Sequence, residues 1–225
     1  MRVEADHELE EGFGERWVLG LRAGLLDTAD RLGDLDRRAG DGDFGTNITT
    51  AMGLLGATLE AGRPEGYRAW VTAVSRAFLG VGGTSGPLFG MFFRDLARCA
   101  IGAEPTLAEL AAGFAAGLVT VQRYGGAEVG HKTMVDALEP GAHPLAAAAA
   151  VGEPAPAALD VAARAATTGA RSTADLVARR GRASYVGEVA RGVMDPGAAA
   201  VAIILLAAVS AARGTTELRA VDWLA

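Results

Sequence analysis

Lysine is almost missing from this chain: of its 21 basic residues only Lys132 is one, so arginine supplies the positive charge nearly everywhere else. Cysteine is as scarce. Cys99 stands alone, which excludes an intramolecular disulfide framework, and it falls on an apolar helical stripe with Leu88, Phe92 and Leu96 that predicts a reduced, buried thiol. A basic excess is missing too. With a net charge of −6 and a pI near 5.1, the chain lacks the broad basic face that a nucleic acid or an anionic membrane surface would reward, so neither is expected as a partner. No apolar run reaches the ~20 residues of a bilayer span, and the strongest, Ala198 to Ala212, reads as a buried central helix. The opening stretch, Met1-Arg-Val-Glu-Ala-Asp-His-Glu-Leu-Glu10, is acidic and has no apolar core, which argues against a secretory signal and predicts a cytoplasmic location. Alternating strand patterns are nearly absent; the one candidate, Leu118-Val-Thr-Val121, ends a good helical stripe.

What is present is helical. At 225 residues and 50% apolar composition the chain can bury a full core. Val18, Leu21, Leu25, Ala29 and Leu32 recur at helical spacing, as do Val71, Val74, Phe78 and Val81, then Leu107, Leu110, Phe114, Leu118 and Val121. These stripes predict an all-α chain of about eight helices joined by glycine-rich turns, with breaks near Gly12 to Gly14, Gly62 to Gly66, Gly102 to Pro105, Tyr124 to Gly126, Gly141 to Pro144 and Gly152 to Pro156. Their even spacing predicts one domain over residues 1–225, with residues 1–13 as a flexible extension.

Asp36-Arg-Arg-Ala-Gly-Asp-Gly-Asp-Phe-Gly-Thr-Asn47 is the most informative stretch. Glycines at 40, 42 and 45 let the backbone take positive φ and bring Asp41 and Asp43 towards one point, while Asp36 reaches back from the preceding helix. Oxygen-only ligands favour Mg²⁺, Mn²⁺ or Ca²⁺ over Zn²⁺. The plainer alternative is a solvated acidic turn that caps the next helix. An EF-hand fails because the twelfth position from Asp41 is Met52 and not a bidentate glutamate.

Three further glycine-rich segments follow. Gly82-Gly-Thr-Ser-Gly-Pro87 sets hydroxyls and free N–H groups at a helix start, which suits a phosphate, although an ordinary N-cap at Thr84 or Ser85 is the commoner use of such residues. Tyr124-Gly-Gly-Ala-Glu-Val-Gly-His-Lys-Thr-Met134 approaches a P-loop, but His131 is inserted before Lys132-Thr133 and no strand precedes it. What survives is a flexible loop on which Lys132 can meet phosphate, or a plain surface lysine. In Gly181-Arg-Ala-Ser-Tyr-Val-Gly-Glu188 and Arg191-Gly-Val-Met-Asp-Pro-Gly197, Asp195 and Pro196 have the chemistry that starts the apolar helix, and Arg182 can reach phosphate in a bidentate manner. His7, His131 and His143 show no metal spacing and no nucleophile partner, so zincin or triad chemistry is unsupported.

In this order, Gly40-Asp-Gly-Asp-Phe-Gly-Thr-Asn47, Gly83-Thr-Ser-Gly-Pro87, Gly130-His-Lys-Thr-Met-Val-Asp-Ala-Leu138 and Gly181-Arg-Ala-Ser-Tyr-Val-Gly-Glu188 with Asp195-Pro-Gly-Ala198 resemble the nucleotide-binding subunit L of dihydroxyacetone kinase (DhaL). The resemblance runs from about Leu19 to Arg213. It implies an antiparallel barrel of eight helices with a pocket at one end, holding ADP or ATP through two Mg²⁺ ions. On that resemblance Asp36, Asp41 and Asp43 are the Mg²⁺ ligands. Phe44, Gly45, Thr46 and Asn47, with Thr84 and Ser85, line the phosphates; Gly126 and Met134 lie near the adenosine; Arg182, Asp195, Pro196 and Gly197 close the pocket.

The function implied is that of a kinase subunit which donates phosphoryl to a small ketose held on a separate DhaK-like subunit, with either exchangeable ATP or a bound ADP recharged by a phosphotransferase-system (DhaM-like) protein. Departures from the family bear on this. Phe44 stands where histidine is frequent, His131 where an acid is usual, and Gly187-Glu-Val-Ala190 replaces a familiar Gly-Glu-Arg-Ser. They lend weight to an alternative, a nucleotide-binding regulatory or scaffold protein without phosphoryl transfer. A plain helical interaction module, the third alternative, requires no Mg²⁺-dependent nucleotide binding.

Overall fold

Helical periodicity resolves into eight α-helices among the described residues: α1 Phe13–Ala39, α2 Phe44–Ala61, α3 Gly66–Leu79, α4 Ser85–Cys99, α5 Leu107–Gly125, α6 Val135–Ala150, α7 Ala155–Ser172 and α8 Pro196–Ala212. The structure, a computed structural model, describes residues 9–185, 187–218 and 221–224. There is no strand among them, and Leu118 to Val121 lies inside α5. Each helix packs on the next in sequence, and α8 returns to pack on α1, so the eight close into an up-and-down ring.

Aromatic side chains fill the interior. The Trp17 ring stacks on Tyr67 and Phe114 at 6.2 Å, and Phe78 lies nearly parallel to Phe93 at 5.7 Å. These rings bury large apolar areas and gain offset-stacked contacts as well. The Trp17 indole N–H donates to the Ile204 carbonyl at 2.9 Å, which satisfies the buried polar atom and pins α1 to α8. As the composition of Ala198 to Ala212 predicts, α8 is buried nearly all round; only Gly197, Leu206 and Ala212 are half-exposed. Its outer side is covered by the C-terminal segment, where the Ser210 hydroxyl donates to Glu217 O and the Thr216 carbonyl sits over Gly20 of α1.

Two sequence readings of local structure need correction. Gly141 to Pro144 is no turn: it lies inside α6, which carries both Pro140 and Pro144. Proline at 140 removes the N–H that would bond Asp136 O one turn earlier, and Gly169 of α7 approaches that oxygen so closely that a β-carbon there would overlap it. Packing against α7 thus carries the helix through two prolines. Cys99 is half-buried; its Sγ lies 3.7 Å from Tyr67 Oη, and burial pushes the thiol up to about 11, which keeps it protonated and inert.

Of the stretch expected as an extension, residues 1–8 fall outside the described residues. Leu9 to Phe13 are tied to the body: Leu9 N donates to Pro105 O at 2.8 Å, and the buried Glu104 carboxylate accepts from Gly12 N and Gly14 N at 3.0 Å, capping α1.

The close α6–α7 crossing sets a test. Gly169→Ala should destabilise the protein by about 1–3 kcal/mol, as expected for overpacking a crossing with backbone on both sides. Gly53→Ala, at an exposed α2 position with nothing within 4 Å, should stabilise by about 0.5–1 kcal/mol. Urea unfolding measures both, and equal effects would refute the packing account.

Candidate functional site

The up-and-down order of the ring places the starts of α2, α4, α6 and α8 at one end, beside the ends of α1 and α5. A cavity at that end is lined by Asp36, Asp41, Asp43 and Phe44 at the α1–α2 turn and by Thr84, Ser85 and Phe89 of α4. Met134 before α6, Arg182, and Asp195 to Gly197 at the start of α8 complete the wall. Four helix N-termini therefore border one cavity, each bringing roughly half a positive charge, although the first-turn N–H groups of α6 are taken by Thr133 and Met134, that of Phe44 by Asp36 and that of Ala198 by Asp195.

The acidic turn is built by three glycines, for reasons that only partly match the expectation of positive φ. Gly42 has it, at +82°. Gly40 does not; a β-carbon there would overlap Asp36 Oδ1. Gly45 lies within α2, where a β-carbon would stand 2.5 Å from Ala29 O and 2.9 Å from Gly33 Cα, so it is needed for the close α1–α2 crossing. Asp36 is buried, and its Oδ2 accepts from Phe44 N at 3.0 Å. One ligand oxygen from each of Asp36, Asp41 and Asp43 lies within 4.8 Å of the others. Burial first, then repulsion from Asp41 and Asp43, raises Asp36 above the ordinary carboxylate range, while the Phe44 N–H opposes the rise. An oxygen-only cluster with this mutual repulsion fits a hard divalent cation.

Other residues singled out from the sequence divide. Phe44 borders the cavity, but its ring packs edge-on against Phe89 at 6.3 Å, so its polar contribution is its N–H. Gly45 and Thr46 face a separate depression with Asp30, Gly33 and Arg37. Asn47 sits beside the Gly83 turn. Gly126 does not line the cavity, although its neighbours Gly125 and Ala127 do; it ends α5 in the left-handed conformation and accepts Arg180 Nε on its carbonyl at 2.6 Å. No side-chain hydrogen bond from Thr84 caps α4, so the ordinary cap is not the use to which that hydroxyl is put.

Lys132 requires the largest revision. It is no mobile phosphate ligand: it is 1% exposed, has φ +59°, and its Nζ donates to Thr173 O and Val193 O, each at 2.5 Å. The Asp136 carboxylate shapes the same loop by accepting from Gly130 N at 2.5 Å and Thr133 N at 2.7 Å. A compact ammonium can serve two converging carbonyls where a planar guanidinium needs more room, which accounts for the one lysine among arginines. The Thr173 hydroxyl in turn accepts from Asp195 N at 2.8 Å, so Lys132 and Thr173 together fix the approach to α8. Thr173 and Arg180 are invisible in the sequence because each acts through a partner remote along the chain, whereas Asp136 acts on Gly130 and Thr133 of its own loop; the isolation of Lys132 among arginines is the available signal.

Asp195 caps α8 as expected, accepting from Ala198 N at 2.7 Å. Burial pushes its carboxyl up to about 7, against the opposing pull of the Ala198 N–H and Lys132. Between the ordinary carboxylate range of about 4 and that value, the folded chain keeps a proton the unfolded chain has released, so this group's contribution to stability falls as pH rises through the window. Asp195→Asn retains an acceptor for the cap and removes the titration. Chemical denaturation at pH 5 and pH 7.5 should show a smaller loss of stability for the variant than for wild type; equal losses would mean that Asp195 ionises normally.

Comparison with known proteins agrees with this geometry. The DAK2 domain profile matches residues 38–210. Over 201 residues the chain is 33% identical to the ADP-binding subunit DhaL of a PEP-dependent dihydroxyacetone kinase from Listeria innocua, covering 87% of this chain and 93% of that one. It is 35% identical to human triokinase/FMN cyclase over 81% of its length, but spans only 32% of that longer protein. The structure superposes on the dihydroxyacetone kinase from C. freundii in complex with AMP-PNP and Mg²⁺ with a TM-score of 0.67 at 27% identity, covering 89% of this chain and 34% of that one. On the extent of these matches the chain belongs to the DAK2 domain family, alongside the DhaL subunits of dihydroxyacetone kinase.

Proposed function

We propose that this chain is the nucleotide-binding subunit of a dihydroxyacetone-type small-ketose kinase. In this reading it holds ADP or ATP with two Mg²⁺ ions and passes phosphoryl to substrate carried by a separate DhaK-like subunit. The observation that carries the reading is the meeting, in one cavity, of the Asp36–Asp41–Asp43 cluster with the N-termini of α2, α4, α6 and α8.

Each part of the cavity has a role in this reading. Asp36, Asp41 and Asp43 hold the cations, which when bound supply the positive charge that lets three carboxylates and a nucleotide polyphosphate share one pocket. The N–H groups at the starts of α2 and α4, with the Thr84 and Ser85 hydroxyls, receive phosphate oxygens. Leu88, Phe89, Val121, Ala127 and Met134 give the cavity an apolar side suited to a base. Phosphoryl transfer asks chiefly for positioning and charge neutralisation, and this chain's residues supply those. The ketose belongs on the partner, and exposed Tyr124, Val129, Tyr185 and Val189 at the cavity end give a docking face for it. The phosphate donor is either ATP or, through a DhaM-like protein, a recharged ADP. Phe44 favours the regulatory alternative to the extent that its ring is committed to Phe89 and leaves no side-chain donor at that place.

Two experiments test the reading. Asp41→Asn/Asp43→Asn should lower Mg²⁺-dependent ADP affinity by roughly a hundredfold or more, because the charge compensation is gone, with circular dichroism unchanged; undiminished affinity in calorimetry would refute the cation assignment. Wild-type chain should phosphorylate dihydroxyacetone only when a DhaK-like subunit is added. Product formed by the chain by itself would overturn the division of labour, and retained nucleotide without turnover beside that partner would establish the regulatory alternative.

A further inference from the structure

Three cationic side chains line the cavity, and they are held differently. Lys132 gives its ammonium to two backbone carbonyls, and Arg180 gives Nε to Gly126 O. Arg182 instead reaches into the acidic cluster, its Nη1 lying 3.2 Å from Asp41 Oδ2. It stands on the short turn Arg182–Tyr185, between Gly181 at φ +66° and Gly187 at φ +55°, neither of which has atoms within 4 Å of where a β-carbon would be. The Arg182 side chain is more than half exposed, so it can leave Asp41 without repacking the core.

We infer that Arg182 couples the cation site to the nucleotide: it competes with a divalent cation for Asp41 and, once displaced, turns to the phosphates. This rests on the reading of Asp36, Asp41 and Asp43 as cation ligands. A dication among these carboxylates repels a guanidinium 3.2 Å from one of them and also takes over the neutralisation that Arg182 provides. A nucleotide phosphate in the same cavity then offers the planar fork a bidentate partner. Cation and nucleotide binding become mutually reinforcing, and that coupling is reciprocal. Asp41 thus has two successive partners, and Arg182 has two successive anions.

The test is calorimetric and needs no turnover. Mn²⁺ is titrated into nucleotide-stripped wild type, Arg182→Ala and Arg180→Ala, and ADP is then titrated in saturating Mn²⁺. Losing an exposed competing ion pair should tighten Mn²⁺ binding of Arg182→Ala about two- to fivefold, and losing a charged phosphate partner should weaken its ADP binding by about tenfold or more. Arg180→Ala separates pairing from general charge, and its Mn²⁺ affinity should stay within about twofold of wild type. Unchanged or weaker Mn²⁺ binding by Arg182→Ala, or an equal gain in Arg180→Ala, would overturn the competition while leaving the proposed function standing if wild type binds Mn²⁺ and ADP together. Wild type that takes up neither would remove both.

Discussion

Everything at the functional end depends on the closure of an even number of helices into an up-and-down ring. With each helix antiparallel to the next and α8 back against α1, every even-numbered helix starts at the same end. Four helix N-termini gather there, and the partial positive charges of their dipoles add up over the cavity. Three carboxylates beside such a field form a charged pair of surfaces that a cation and a polyphosphate can bridge.

The longest connection of the ring lies between α7 and α8, and the buried ammonium of Lys132 organises it. By holding Thr173 O and Val193 O it fixes both ends of the segment from which Arg182 and Asp195 project. Taking that charge away from water is costly, and burial lowers the lysine pKa even though Asp195, Asp136 and Asp175 pull the other way. Two short hydrogen bonds and three nearby carboxylates offset the cost. Rigid ends and an exposed middle let the segment carry a guanidinium that can change partners while the cap of α8 stays in place.

How much was legible depended on the range of the determining interaction. Helical stripes, the Asp195–Pro196 helix start and the burial of α8 are written in spacings of a few residues and could be read directly. The positive φ of Gly42 is legible because it is a local property. Gly40 and Gly45 share the motif but not the cause, since their absent β-carbons make room for Asp36 and for α1. The turn expected at Gly141 to Pro144 failed because the prolines' local penalty was outweighed by contact with a helix some thirty residues on.

The sequence by itself determined an all-helical chain and, through four ordered glycine-rich motifs, the family to which it belongs, because periodicity and motif order are properties of the linear chain. Only the tertiary structure decided that Lys132 faces inward, that Arg182 meets Asp41, and that Gly45 and Thr46 turn away from the cavity that Asp36, Thr84 and Asp195 share. Those outcomes turn on which groups the ring brings within hydrogen-bonding and ion-pairing distance, and pairs separated by 40 to 140 positions leave no trace in local spacing.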